Sequence, residues 1–66
     1  MKIKNKLKEI RMKEYTMERK EFADFLKVKQ KTYYAWETGD TSPSLLKALE
    51  IAKQLNKNVN EIWHID

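Results

Sequence analysis

Val28-Lys29-Gln30-Lys31-Thr32-Tyr33-Tyr34-Ala35-Trp36-Glu37-Thr38-Gly39 carries more structural information than any other part of this chain. Cationic and amide side chains crowd its front. Aromatic residues and a carboxylate follow, and it ends on the only glycine of the 66-residue sequence. The pattern predicts a short helix from about Gln30 to Glu37 or Thr38. Gly39 stops that helix as a left-handed cap, which glycine adopts without a Cβ clash. Tyr33 and Trp36 are three residues apart, share a face and pack inward with Val28. Gln30, Lys31 and Tyr34 then point away from the body as hydrogen-bonding groups on a rigid element.

The flanking segments read as the scaffold of this helix. Upstream, Phe22, Ala23, Leu26 and Phe25 form the buried stripe of a helix that starts at Met17 or Glu18, with Thr16 as its N-cap, and runs to Lys27. Further upstream, Ile3, Leu7 and Ile10 lie on one face of a helix from about Lys4 to Lys13. A basic amphipathic helix can also lie on a membrane surface, but three aliphatic residues make a thin membrane face. Downstream, Thr38-Gly39-Asp40-Thr41-Ser42-Pro43 is the one clear loop, since it holds the only glycine and the only proline. A fourth helix begins after Pro43, capped by Ser42 or Ser44. Leu45, Ala48, Leu49, Ala52 and Leu55 form its buried stripe, and Leu46 falls off it. Asn56-Lys57-Asn58 is a turn, and Val59 to Trp63 supplies a last helical turn or two. So little Gly and Pro beside so much Lys, Glu and Leu favours an all-α fold.

Composition narrows the function. The length suits one domain near the lower limit of independent folding, so regular helix packing or dimerisation must supply stability. Cysteine is absent and His64 is the only histidine, which argues against disulfides and a zinc site. No cofactor or small-molecule ligand is indicated. One glycine cannot build a Gly-rich phosphate loop, and His64, read as a tail residue, has no recognisable nucleophile and orienting acid beside it. An enzyme is therefore not expected. Fourteen Lys+Arg against ten Asp+Glu give a net charge of +4, which suits a polyanionic partner. No apolar run approaches the ~18 residues of a membrane span. The amino end lacks the apolar core of a signal peptide, so a cytoplasmic protein is expected.

Two short helices joined by Lys27-Val28-Lys29, with Ala23 five residues before Val28 and Tyr33 five after, have helix-turn-helix spacing. In such a pair the first helix crosses the DNA backbone. The second enters the major groove, which at ~12 Å wide just admits it.

The stretch from Ala23 to Gly39 resembles the central signature of the Cro and lambda-type repressor helix-turn-helix family, also called the XRE family. There a small residue in the second helix is followed by a hydrophobic residue at the turn and a Trp-Glu-x-Gly ending. Ser42-Pro43-Ser44-Leu45 is similar to the family's opening of helix four, and Leu55 to Trp63 to its close. The resemblance runs from about Leu7 to Trp63. It implies a compact five-helix bundle, a single domain over residues 1–66 with its helix-turn-helix at about 17–38, and dimeric binding to operator DNA that controls transcription. Three departures stand out. The segment between Arg11 and Ala23 is about one residue longer than the family pattern, Lys27 replaces the usual glycine of the turn, and Asp40 stands where a cation is common.

Carried onto matching positions, the resemblance makes Gln30, Lys31 and Tyr34 base-reading candidates. Arg19, Lys29, Thr32, Ala35 and Thr38 become contacts to the DNA backbone or groove edge. Arg11 and Glu37 match a buried structural salt bridge. Gln30 can bind adenine N6 and N7, and Lys31 can donate to guanine O6 and N7. One short helix contacts few bases, so a homodimer on a palindromic operator is expected. Leu46, Trp63 and Ile65 are its interface candidates. The expected function is a homodimeric transcriptional repressor. The alternatives are an autoregulatory antitoxin of a toxin–antitoxin pair, or a protein–protein interaction module on the same fold.

Overall fold

The computed structural model describes residues 2–65. It begins with a strand, β1 (Ile3–Asn5), followed by helix α1 (Leu7–Ile10) and a π-helical continuation over Arg11–Tyr15. Then come α2 (Arg19–Phe25), α3 (Gln30–Thr38), α4 (Leu45–Gln54), α5 (Val59–Ile62) and a closing strand, β2 (Trp63–Ile65). The fold is a mostly helical bundle of five α-helices, with strands only at its ends.

The core draws on every helix. Leu7, Phe22, Leu26, Tyr33, Ile51 and Ile62 are fully buried. Burying each such side chain contributes roughly 1.5–3 kcal/mol. Phe22 meets the Tyr33 ring edge-on at 5.6 Å, which ties α2 to α3. Ala23, also fully buried, leaves room for this close approach.

Several expectations need correction. Residues 3–5 are not helical. β1 pairs antiparallel with β2 in the register Ile3↔Ile65, Lys4↔His64, Asn5↔Trp63. Ile3 is therefore exposed instead of sharing the face of Leu7 and Ile10, and His64 is a strand residue instead of a loose tail. The partner strand lies at the far end of the chain, so no local pattern announces the pairing.

Thr16 does not cap α2. It closes the π-helical turn in a left-handed conformation (φ 48°), and its backbone N–H donates to the Arg11 carbonyl. A π-turn holds one more residue than an α-turn. Glu18 is the N-cap of α2, in a reciprocal capping box with Glu21. Helix two thus starts at Arg19, not at Met17 or Glu18, and ends at Phe25, short of Lys27.

In α4 the buried side is Ala48, Ile51 and Ala52, continued by Leu55. Leu45 and Leu49, expected inside, are exposed together with Leu46. Two neighbouring stripes on this helix have helical spacing, and only the position of the other helices selects one. Ser44 is the cap, its hydroxyl accepting from the Lys47 N–H at 3.2 Å.

Candidate nucleic-acid interface

The connection between α2 and α3 is a Schellman turn. The Val28 N–H donates to the Ala23 carbonyl at 2.9 Å and the Lys27 N–H to the Asp24 carbonyl at 3.0 Å. The geometry requires a left-handed residue, and Lys27 supplies it at φ 59°. A lysine there costs roughly 1 kcal/mol relative to an unstrained backbone. Val28 packs against the core. Gln54, from α4, donates its side-chain amide to the Phe25 carbonyl at 2.7 Å and so satisfies a free end of α2.

Lys29 is the N-cap of α3, but its side chain makes no capping bond and is exposed. Gln30, Lys31 and Thr32 follow on the outer surface. Thr38 is exposed and donates its hydroxyl to the Ala35 carbonyl at 3.1 Å, while Ala35 is half-buried. Gly39 ends the helix at φ 89°. Tyr33 and Trp36 are buried in the core.

Tyr34 does not stand free of the body. Its ring is half-buried and packs edge-on to Tyr33 at 6.5 Å. The Arg19 guanidinium lies over it, 4.5 Å from the ring centroid. Arg19 is the first residue of α2, so this cation–π contact brings the start of α2 against the outer side of α3. Arg11, Glu18 and Lys20 border the same cleft.

Beneath this surface lies a buried polar network. Arg11 Nε donates to Glu37 Oε2 at 3.1 Å and Nη2 to Oε1 at 3.2 Å, a bidentate pair. Arg11 Nη1 donates to the Met17 carbonyl at 2.9 Å. Tyr33 Oη donates to Glu37 Oε2 at 2.5 Å. The hydrogen bond to Glu37 holds the Arg11 guanidinium above its ordinary pKa. Burial, reinforced by the Glu37 carboxylate, pushes the Tyr33 phenol well above its ordinary value. The network keeps α3 from rotating about its axis.

The structure thus groups Arg19 with Tyr34 and Arg11 with Glu37, and it places Lys29, Gln30, Lys31, Thr32 and Thr38 on the exposed side of α3. Leu46, Trp63 and Ile65 lie on other elements, α4 and β2. Leu46 and Ile65 are exposed, and Trp63 is half-buried against the core. Two supporting residues have no counterpart in the sequence reading. One is Gln54. The other is Asn5, whose Nδ2 donates to the Trp36 carbonyl at 2.8 Å while its Oδ1 accepts from the Leu7 N–H at 3.1 Å. The bond from the Leu7 N–H, two residues on, is an Asx turn of the kind asparagine commonly makes, so half of Asn5's role was visible locally.

Among the described residues no helix is long and apolar enough to cross a membrane. Comparison with curated proteins and with solved structures returned no match. The helix-turn-helix family model matches residues 7–62, a span that takes in α1 to α5 but not Asn5, Trp63 or Ile65. The chain therefore belongs to the Cro/C1-type helix-turn-helix (XRE) family of DNA-binding transcription regulators, which bind double-stranded DNA and are typically non-enzymatic.

Proposed function

We propose that the protein is a homodimeric, sequence-specific repressor that reads operator DNA with α3. The carrying observation is that α3 buries Tyr33 and Trp36 in the core while Lys29, Gln30, Lys31 and Thr32, its cap and first turn, are exposed. Gln30 and Lys31 contact base edges. Tyr34, stacked under Arg19, offers its ring edge and hydroxyl to a thymine methyl or a phosphate. Lys29, Arg19, Thr32, Ala35 and Thr38 line the groove edge and backbone. The Arg11–Glu37 pair holds the frame.

Two copies reading a palindrome need recognition helices ~34 Å apart. The protomer measures 30 × 23 × 21 Å, so two copies side by side fit that spacing. Leu46 and Ile65 supply exposed apolar side chains for the contact, as do Leu45 and Leu49, and Leu45 and Trp63 line one groove. The same leucines favour a second reading, an antitoxin whose toxin covers them.

Binding-site selection on random duplexes tests the proposal. A palindromic consensus supports it, and absence of enrichment overturns it in favour of a protein–protein module. Affinity for the selected site falls ~10³-fold or more between 50 and 200 mM salt when several phosphates are contacted. Gln30→Ala relaxes base preference, whereas Lys29→Ala weakens all sequences alike and flattens the salt slope by about one. A chain that stays monomeric at high concentration, alone and on DNA, favours the antitoxin reading.

A further inference from the structure

Asn5 ends β1, where its partner in the ribbon is Trp63. Its amide joins the start of α1 to the end of α3, through the Leu7 N–H on one side and the Trp36 carbonyl on the other. The Trp36 carbonyl lies in the last turn of α3, where carbonyls lack a partner within the helix. It also accepts from the Gly39 N–H at 3.1 Å. α3 is also held by the burial of Tyr33 and Trp36, by the Arg11–Glu37 pair, by the turn at Val28 that joins it to α2 and by the Arg19 contact to Tyr34. Apolar burial is non-directional and resists tilting only weakly. The salt bridge restrains one point, through a side chain. Asn5 restrains a second point, on the backbone itself.

The turn at Val28 holds the start of α3 and the Asn5 bond holds its last turn, and together they set the direction of a rigid helix. Gln30 is six residues from Trp36, roughly 9 Å along the axis at ~1.5 Å per residue. A tilt of ~10° about Trp36 therefore moves Gln30 by roughly 1.5 Å. Side chains in a recognition site must be held within ~0.5 Å to keep productive geometry. A displacement three times that size breaks a bidentate contact to a base.

We infer that Asn5 is a positioning residue for base reading: its side-chain amide sets the tilt of α3 and so the placement of Gln30 and Lys31. This rests on the proposed reading by α3. Asn5 acts through the helix and need not touch DNA.

Asn5→Asp separates its two tasks. Aspartate keeps an acceptor for the Leu7 N–H and makes the same Asx turn as asparagine. It has no donor for the Trp36 carbonyl. Asn5→Thr is the second variant, since its shorter hydroxyl can cap Leu7 but does not reach Trp36. Two readouts are taken well below the unfolding temperature. Residual dipolar couplings of the free protein report the orientation of α3 relative to α4. The affinity ratio between the selected duplex and a scrambled one, at fixed salt, reports base reading. The expected result is a folded variant with shifted couplings over residues 30–38 and a ratio reduced about tenfold. Its salt slope falls by at most about one, because Lys29 is the one cationic backbone contact carried on α3 and Arg19 lies on α2. A purely stabilising residue would leave the ratio of the folded protein unchanged. Unchanged couplings or an unchanged ratio in a folded variant overturn the inference, as does failure of both variants to fold. If the wild-type chain itself shows no sequence preference, the reading by α3 fails, while the couplings still decide whether Asn5 orients the helix.

Discussion

Replacing Glu37 with alanine should strongly destabilise the fold, although Glu37 need not touch DNA. The side chains of Arg11 and Glu37 are only 10% and 8% exposed, so the pair sits in a largely desolvated setting. Glu37→Ala strips Arg11 of two charge-assisted hydrogen bonds and leaves its guanidinium buried with the Met17 carbonyl as its remaining partner. It also orphans the Tyr33 hydroxyl in the core. Breaking one side of such a pair costs ~3–5 kcal/mol. At ~0.05–0.15 kcal/mol per residue, a chain of this length has a total stability of roughly 3–10 kcal/mol. The loss is therefore a third of the total at least, and the melting temperature should drop by ~12 °C or more. Urea and thermal unfolding followed by circular dichroism measure it. The companion variant Arg11→Met/Tyr33→Phe/Glu37→Leu removes the whole network together. It should recover most of the loss, short of ~1 kcal/mol for the Met17 carbonyl that loses its donor. A single-variant cost below ~1 kcal/mol would mean that water screens the pair as at a surface. A triple variant costing as much as the sum of the single changes would refute the desolvation argument.

Further predictions follow from the strained and perturbed groups. Because burial raises the Tyr33 phenol, the unfolded chain ionises first, near the ordinary tyrosine value of 10.0. Its contribution is complete below that pH and is lost as the pH rises further, by up to ~1.4 kcal/mol per pH unit. The melting temperature should fall more steeply above pH ~10 in wild type than in Tyr33→Phe, and parallel profiles would contradict this. Thr16 is a β-branched residue at φ 48°, so Thr16→Gly should stabilise the protein by about 1 kcal/mol in urea titrations. Leu46 is 70% exposed, so Leu46→Glu should leave monomer stability within ~0.5 kcal/mol. If α4 carries the dimer contact, sedimentation equilibrium should show weaker dimerisation and operator affinity should fall with it.

Local signals located the centre of the molecule well and its ends poorly. Gly39, the aromatic pair Tyr33 and Trp36, and the turn around Val28 are short-range features, and α3 lies where they place it, at Gln30–Thr38. The start of α2 misled because Thr16 is an ordinary capping residue type. The competing Glu18–Glu21 box lies two residues later, and the π-turn before it has no local sequence mark. On α4, Leu45, Leu49 and Ala48 all satisfy one period, so hydrophobicity alone could not choose the inward face. Tyr34 was expected to point outward, but Arg19, fifteen residues away, partly covers it.

Helix content, the helix-turn-helix spacing and the family were legible in residue order, because each rests on contacts between near neighbours or on a motif read in line. The terminal ribbon, the Asn5 bond to Trp36 and the Gln54 bond to Phe25 were not. These join residues 31 and 29 positions apart, and the ribbon brings Ile3 to Ile65. Such pairings exist only after the helices have packed, since the packing places each donor within 3 Å of its acceptor. The course of α3 is therefore encoded locally, whereas the contact that ties its last turn to Asn5 and the ribbon behind it are tertiary.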